Sequence, residues 1–311
     1  MTEADSDITG DQLQKDVEYW MSPPDPSINQ DFFWNARHAG TAAWFFKSKA
    51  LTEWKMRGLL LCIYGKRMSF DTRRVPCTNN LSVFKWGRGK AHFCMSELVW
   101  DCSRLLMASN RSAIIQDIRG MHAAGLATMA YYYFDFRDVK KQNCYGLLSS
   151  LISQLSADSD SCYNILFRLY SDNALGIRKP TIGALKKCMT DMLSLPRQSP
   201  IYLIIEALDE CPNLSGMLSA REEVLGLIEE LVDLKLPNVH LCVASRPEID
   251  IRIVLEPLTS LNISLHDESG HKEDIIKYIK SVVHSDRRMG RWREEDQNLV
   301  IDALSRNADG M

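Results

Sequence analysis

Three carboxylates fall within five residues in the segment Ile201-Tyr-Leu-Ile-Ile-Glu206-Ala-Leu-Asp209-Glu210-Cys211, directly after an uninterrupted apolar run. Acids at the end of a buried strand are costly unless something cationic meets them. Magnesium held between a carboxylate and nucleotide phosphates is one such partner, and a neighbouring acid can then orient or deprotonate an attacking water. The plainer alternative is that Asp209 and Glu210 cap a loop or stand in solvent. A second apolar run, Val239 to Ala244, leads into Ser245-Arg246-Pro247. A guanidinium there can sense a γ-phosphate or stabilise charge in phosphoryl transfer, or simply pair with Asp209 or Glu210.

The elements that must position these groups are short strands alternating with amphipathic helices. Leu59 to Tyr64, Ile201 to Ile205 and Val239 to Ala244 are apolar throughout, as strands covered on both faces are. Leu126 to Phe136 is rich in β-formers, and Leu258 to Leu265 is a weaker strand. Helical periodicity marks 34–54, 146–155, 162–170, 181–195, the isoleucines and valines of 275–283, and a last helix opening near Leu299. Ser219 with Glu222 three residues on has capping-box spacing, ahead of Val224, Leu227, Ile228 and Leu231 on one face. The pattern predicts an α/β fold, a mainly parallel sheet flanked by helices. Ligands in such sheets bind at the carboxyl ends of the strands, so chemistry is sought after Tyr64, Ile205 and Ala244. The acidic lead and the Ser22-Pro-Pro-Asp-Pro-Ser27 run read as a flexible arm over 1–33. A core then covers 34–265, interrupted by 67–111, and 266–311 is the start of a helical region that the chain cuts short.

Taken in order, five motifs resemble one family: His38-Ala-Gly-Thr-Ala-Ala-Trp44-Phe45-Phe46, Gly58-Leu-Leu-Leu-Cys-Ile-Tyr-Gly65-Lys66, Tyr133-Phe-Asp-Phe-Arg137-Asp138, Leu203-Ile-Ile-Glu206-Ala-Leu-Asp209-Glu210-Cys211 and Ala244-Ser245-Arg246-Pro247-Glu248. They look like the NACHT class of signal-transducing NTPases (STAND type), most closely the nephrocystin-3-like N-terminal P-loop NTPase domain of many fungal proteins. The resemblance implies a nucleotide-dependent switch in a signalling or self-recognition protein, binding ATP or GTP with Mg2+. It places Glu206 at the Walker B metal position, with Asp209 as a second metal candidate. Asp209 and Glu210 match the acidic pair that follows, and Arg246 the sensor arginine, so Asp209, Glu210 and Arg246 form the catalytic set. Protein partners or self-association would act through regions outside this chain. The rival reading is a nucleotide-free scaffold that keeps the fold.

The phosphate-binding half departs from the pattern. A P-loop needs G-x-x-x-x-G-K-[ST] after its strand, so that backbone N–H groups curl round the phosphates and the lysine neutralises them. Gly65-Lys66 begins in the right place, but no second glycine follows. Gly87, Gly89 and Lys90 form a later Gly-x-Gly-Lys, yet Phe84 stands where the first glycine belongs and Ala91 lacks the hydroxyl. The family pattern resumes at Ser112 to Ile118. The interval 67–111 reads as a basic insertion, as a stacking surface for nucleic acid through Phe84, Trp86 and Phe93, or, the preferred reading, as untranslated sequence retained in the message. A Gly-Lys pair can be encoded by GGTAAG, which contains a common intron start. Cys77, His92, Cys94 and Cys102 fit no usual zinc spacing.

Composition sets the outer bounds. With 311 residues and a net charge of -3, nothing global favours nucleic acid or an anionic membrane as partner. The N-terminus lacks the order of a secretory signal, and no apolar run reaches membrane-spanning length. Nine cysteines without CxxC pairing suit reduced, packed thiols and a cytoplasmic protein.

Overall fold

The computed structural model describes residues 3–35, 43–58, 60–65, 113–213, 219–259, 261–264, 269–285 and 289–309. Five strands, β1 (Leu60–Tyr64), β2 (Thr128–Tyr133), β3 (Ile201–Glu206), β4 (Val239–Ser245) and β5 (Leu261–Ser264), form one sheet in the order β2-β3-β4-β1-β5. The pairs β2–β3, β3–β4 and β4–β1 are all parallel, with Ile205 opposite Val243 and Tyr64 opposite Ser245. The α/β fold with helices flanking a mainly parallel sheet is therefore present.

Side chains alternate across each strand, so each sheet face has its own helices. Cys62, Tyr132, Leu203, Ile205, Leu241 and Val243 share one buried cluster with residues of α6 (Cys144–Asp158), α7 (Asp160–Asp172), α8 (Ile182–Leu193), α9 (Ala220–Asp233) and α10 (Ile249–Leu258). The intervening residues meet α4 (Lys49–Arg57) and a helix at 113–123, here α5. Trp54 of α4 packs edge-on against Tyr202 at 5.3 Å and donates Nε1–H to the Leu241 carbonyl at 3.1 Å. Lys55 pairs with Asp117 across α4 and α5. Ser48 caps the start of α4, and Gly58 ends it at φ +63°, where a Cβ would lie 2.5 Å from the Pro237 carbonyl. Only glycine meets both demands.

Three segments differ from the sequence expectation. Residues of the anticipated arm form α1 (Glu3–Met21) and α2 (Ser27–Asn35), and Val17, Trp20 and Met21 join the main core. Proline density confines the irregular stretch to 22–26, between the two helices. The single helix expected over 34–54 appears, among described residues, as α3 (Ala43–Phe46) and α4, because Ser48 is extended (ψ 137°) and starts a new helix. The α10 helix was not anticipated, since Pro247 before it and Pro257 within its last turn argue against helix. Leu258, expected to open a strand, is its last residue, and β5 begins at Leu261.

Contacts divide the chain into two units. One comprises residues 1–31, 48–64 and 114–263, and carries almost all of the sheet. In the other, α11 (Ser269–Ser285) packs on α12 (Glu294–Asp309), and Trp44 donates Nε1–H to Asp274 at 3.0 Å. Cys62, Cys144, Cys162, Cys188, Cys211 and Cys242 are all free and buried. Burial pushes the Cys144, Cys188 and Cys211 thiols up to about 12, which keeps them neutral and inert.

Candidate functional site

The connection leaving β1 runs to β2 at the far edge, whereas the connections leaving β2, β3 and β4 all run the other way. The adjacent strands whose connections diverge are β4 and β1, and the crevice at their carboxyl ends is the topological switch point where open α/β sheets bind ligands. Glu206, Asp209, Arg246 and Gly65 all lie on this edge, at or just after the ends of β3, β4 and β1.

Glu206 is the last residue of β3 and 1% exposed. The next residue, Ala207, adopts φ +56°, ψ 42°, a left-handed conformation that costs a residue with a Cβ about 1–2 kcal/mol. That kink turns the chain at once into a 3₁₀ turn over Leu208–Glu210, with Leu208 fully buried as its anchor. The turn separates the acids. Glu210 Oε2 accepts the Phe136 N–H at 3.2 Å, joining this loop to the one after β2. Asp209 turns towards β4: its Oδ1 accepts the Arg246 N–H at 2.9 Å and lies 3.5 Å from the Ser245 hydroxyl, which donates to the Arg246 carbonyl at 2.8 Å, and its Oδ2 forms an ion pair with Arg246 Nε at 3.3 Å. The Asp209 side chain is 8% exposed and that of Arg246 is 44% exposed.

Sequence reasoning missed the residue that holds this loop. Arg221, in the first turn of α9, donates Nε–H to the Cys211 carbonyl at 2.9 Å and Nη2–H to the Asp209 carbonyl at 2.7 Å. Its Nη1 reaches Asp250 Oδ2 of α10 at 3.0 Å, and Asn213 donates to the same oxygen at 2.8 Å. A signal was present: an arginine in the first turn of a helix opposes the helix dipole, so a specific partner has to hold it there. A second missed cluster sits after β2. Arg137 Nε and Nη2 grip Asp135 at 2.9 and 2.7 Å, and these bonds hold the Asp135 carboxyl well below the usual carboxylate range. Asn29 of α2 donates to Asp135 at 3.1 Å and accepts from Lys141 at 2.5 Å, while burial lowers the Lys141 pKa. The Asp135 and Arg137 motif was visible in sequence, but its tie to α2 was not.

The structure thus brings Asp209 and Arg246 together and sends Glu210 to a different loop. Lys66, Gly87, Gly89 and Lys90 lie outside the described residues, as does the whole interval 67–111. Among the described residues, no three His, Cys, Asp or Glu side chains gather as a metal-holding group. Magnesium needs less, since one or two carboxylates suffice when phosphates and water complete the shell. Glu206 fits that role as a buried carboxylate at the strand end. Asp209 fits less well, because its Oδ1 accepts the Arg246 N–H and its Oδ2 is paired with the Arg246 guanidinium. A cavity of about 450 Å³ opens at the opposite, amino-terminal edge of the sheet, lined by Thr128, Met192, Gln198 and Ile201 among others. None of the acids or Arg246 borders it, so the switch-point edge is the stronger site.

Residues 110–246 match the family described as nephrocystin 3, N-terminal. No curated protein matches the chain. The matched stretch runs from just before α5 to Arg246 at the end of β4, so it takes in Glu206, Asp209 and Glu210 and leaves β1 outside. This stretch is a NACHT-like domain of the nephrocystin 3 N-terminal type.

Proposed function

We propose that this nephrocystin 3 N-terminal-type domain is a nucleotide-dependent switch whose nucleotide binding is weakened by its altered phosphate loop. The observation that carries the reading is the placement of Glu206, Asp209 and Arg246 on the carboxyl edge of β3 and β4, beside the switch point. Glu206 would hold Mg2+, which when bound neutralises the phosphates of ATP or GTP. Arg246, nearly half exposed, would contact the terminal phosphate. Glu210, whose carboxylate accepts the Phe136 N–H in the loop after β2, would have to leave that bond to orient a water. Gly65 and Lys66 would supply a remnant of the cradle, with Gly87, Gly89 and Lys90 the weaker match. Switching would act on protein partners or on self-association, in the cytoplasm, where buried thiols stay reduced.

A second reading has its own support. Asp209 is already paired with Arg246 without any ligand, as a nucleotide-free scaffold would have it. Thermal unfolding with and without Mg-ATP or Mg-GTP separates the two, because a ligand that binds only the folded state stabilises it by about 2.7 kcal/mol at 100 times Kd. A rise in Tm at millimolar nucleotide supports the switch. No rise with either nucleotide leaves the scaffold.

A further inference from the structure

We infer that Asp209 blocks Arg246 from within, as a resident anion that an incoming phosphate must displace. This rests on the nucleotide reading above and adds a regulatory step to that site. Among the described residues, the contacts of the Asp209 carboxylate come from one dipeptide, Ser245-Arg246. The closest approach of the guanidinium is an ion-pair contact of Nε at 3.3 Å, longer than the charge-assisted hydrogen bonds of a strong Arg–carboxylate pair. Among the described residues its Nη groups make no hydrogen bond, which leaves donors for a second anion. A phosphate carries more charge and more acceptor oxygens than a carboxylate, and it therefore competes well for the same cation.

The surrounding structure makes such an exchange local. Arg221 fixes the Asp209 carbonyl and the Cys211 carbonyl from α9, and through Asp250 it ties that loop to the helix that follows Arg246. With the main chain held at both ends, only the Asp209 side chain has to rotate away. Arg246 then trades an internal carboxylate for an external phosphate while β3 and β4 stay in register.

The test uses the full chain, with Mg-ATP and Mg-GTP as probes and affinity read from concentration-dependent Tm shifts. Asp209→Asn keeps an oxygen for the Arg246 and Ser245 donors but removes the charge that competes with phosphate. It should tighten nucleotide binding about two- to fivefold, the range expected for losing one partly exposed ion pair. Arg246→Met should weaken binding, and Asp209→Asn in that background should give no gain. A gain that persists without Arg246 would mean general charge repulsion and overturns the blocking role. Equal or weaker binding by Asp209→Asn, where the unmodified protein responds, overturns it while leaving the nucleotide reading intact. No response from any form overturns both. Hydrogen exchange at the Arg246 amide supplies a readout without activity: saturating nucleotide should speed it as Asp209 Oδ1 leaves, and unchanged protection in the bound state refutes displacement.

Discussion

Replacing Arg221 by Met tests whether one buried guanidinium positions the acidic loop. Arg221 is 9% exposed, and the substitution keeps most of the aliphatic stem while deleting every donor. The Asp209 and Cys211 carbonyls lose bonds of 2.7 and 2.9 Å. An acceptor stranded this way costs about 1–3 kcal/mol. Asp250 keeps its bond from Asn213, and its side chain is 34% exposed, so solvent screening limits its loss to roughly 1 kcal/mol or less. The total is about 2–7 kcal/mol, or a Tm drop on the order of 5–25 °C for a domain of this size. Urea titration gives the energy, and hydrogen exchange at the Glu210, Cys211 and Arg246 amides shows where it is lost. Arg221→Lys should recover part of it, because an ammonium reaches fewer of these acceptor atoms. Arg252→Ala, which breaks an exposed pair with Glu256 one turn away on α10, is the control and should cost under about 0.5 kcal/mol. A loss no larger than that control, or a larger loss with loop protection unchanged, would refute the positioning argument.

His240 is stacked on Tyr202 at 4.4 Å and bonded through Nδ1 to the Trp54 carbonyl at 2.9 Å, and burial lowers its pKa below 6.5. The unfolded chain therefore binds the proton first: stability is full above pH 6.5 and falls as pH drops towards the folded pKa, by at most about 1.4 kcal/mol per pH unit. His240→Gln should flatten that slope in urea titrations between pH 7 and 5, and an unchanged slope assigns it to other groups. Ser219→Ala removes the capping box, in which Ser219 Oγ accepts from Glu222 and Glu222 Oε2 accepts from Ser219. It should cost about 1 kcal/mol in chemical denaturation, and it should loosen exchange protection in the Asp209 loop because Arg221 lies in the same helical turn. For the interval 67–111, sequencing the transcript across codons 65 to 112 should reveal a shorter message that lacks it; finding only the present one rules out retained untranslated sequence.

What the sequence showed well was whatever depends on local pattern. The apolar runs of β1, β3 and β4 and the Ser219–Glu222 cap each depend on residues within a few positions of one another. The switch-point edge followed from these runs by a general rule of parallel sheets. The partner of Arg246 was harder, because a strand-end arginine suits a phosphate and a carboxylate equally, and only the αL kink at Ala207 decides which way Asp209 faces. Arg221 and the Asn29–Asp135–Lys141 cluster depend on contacts between distant segments, which periodicity does not encode. The burial of α1 was hidden for a related reason: its lead is acidic, and its core contacts are confined to the last turns, at Val17, Trp20 and Met21.

The strand order also governs how the chain is made. Leu60 of β1 pairs with Leu241 of β4, about 180 residues later in synthesis. At about 5–20 residues per second, β1 leaves the ribosome roughly 10–35 s before the strand it needs. Meanwhile β2, β3 and β4 can assemble in the order they emerge. For that time Leu60, Leu61, Cys62 and Ile63, a sticky apolar ribbon, have no native edge to join. The place of the first-made strand, between β4 and β5, exists only once both of those later segments have been made. A nascent chain of this topology should therefore depend on chaperones that shield its early segment until residue 245 has emerged.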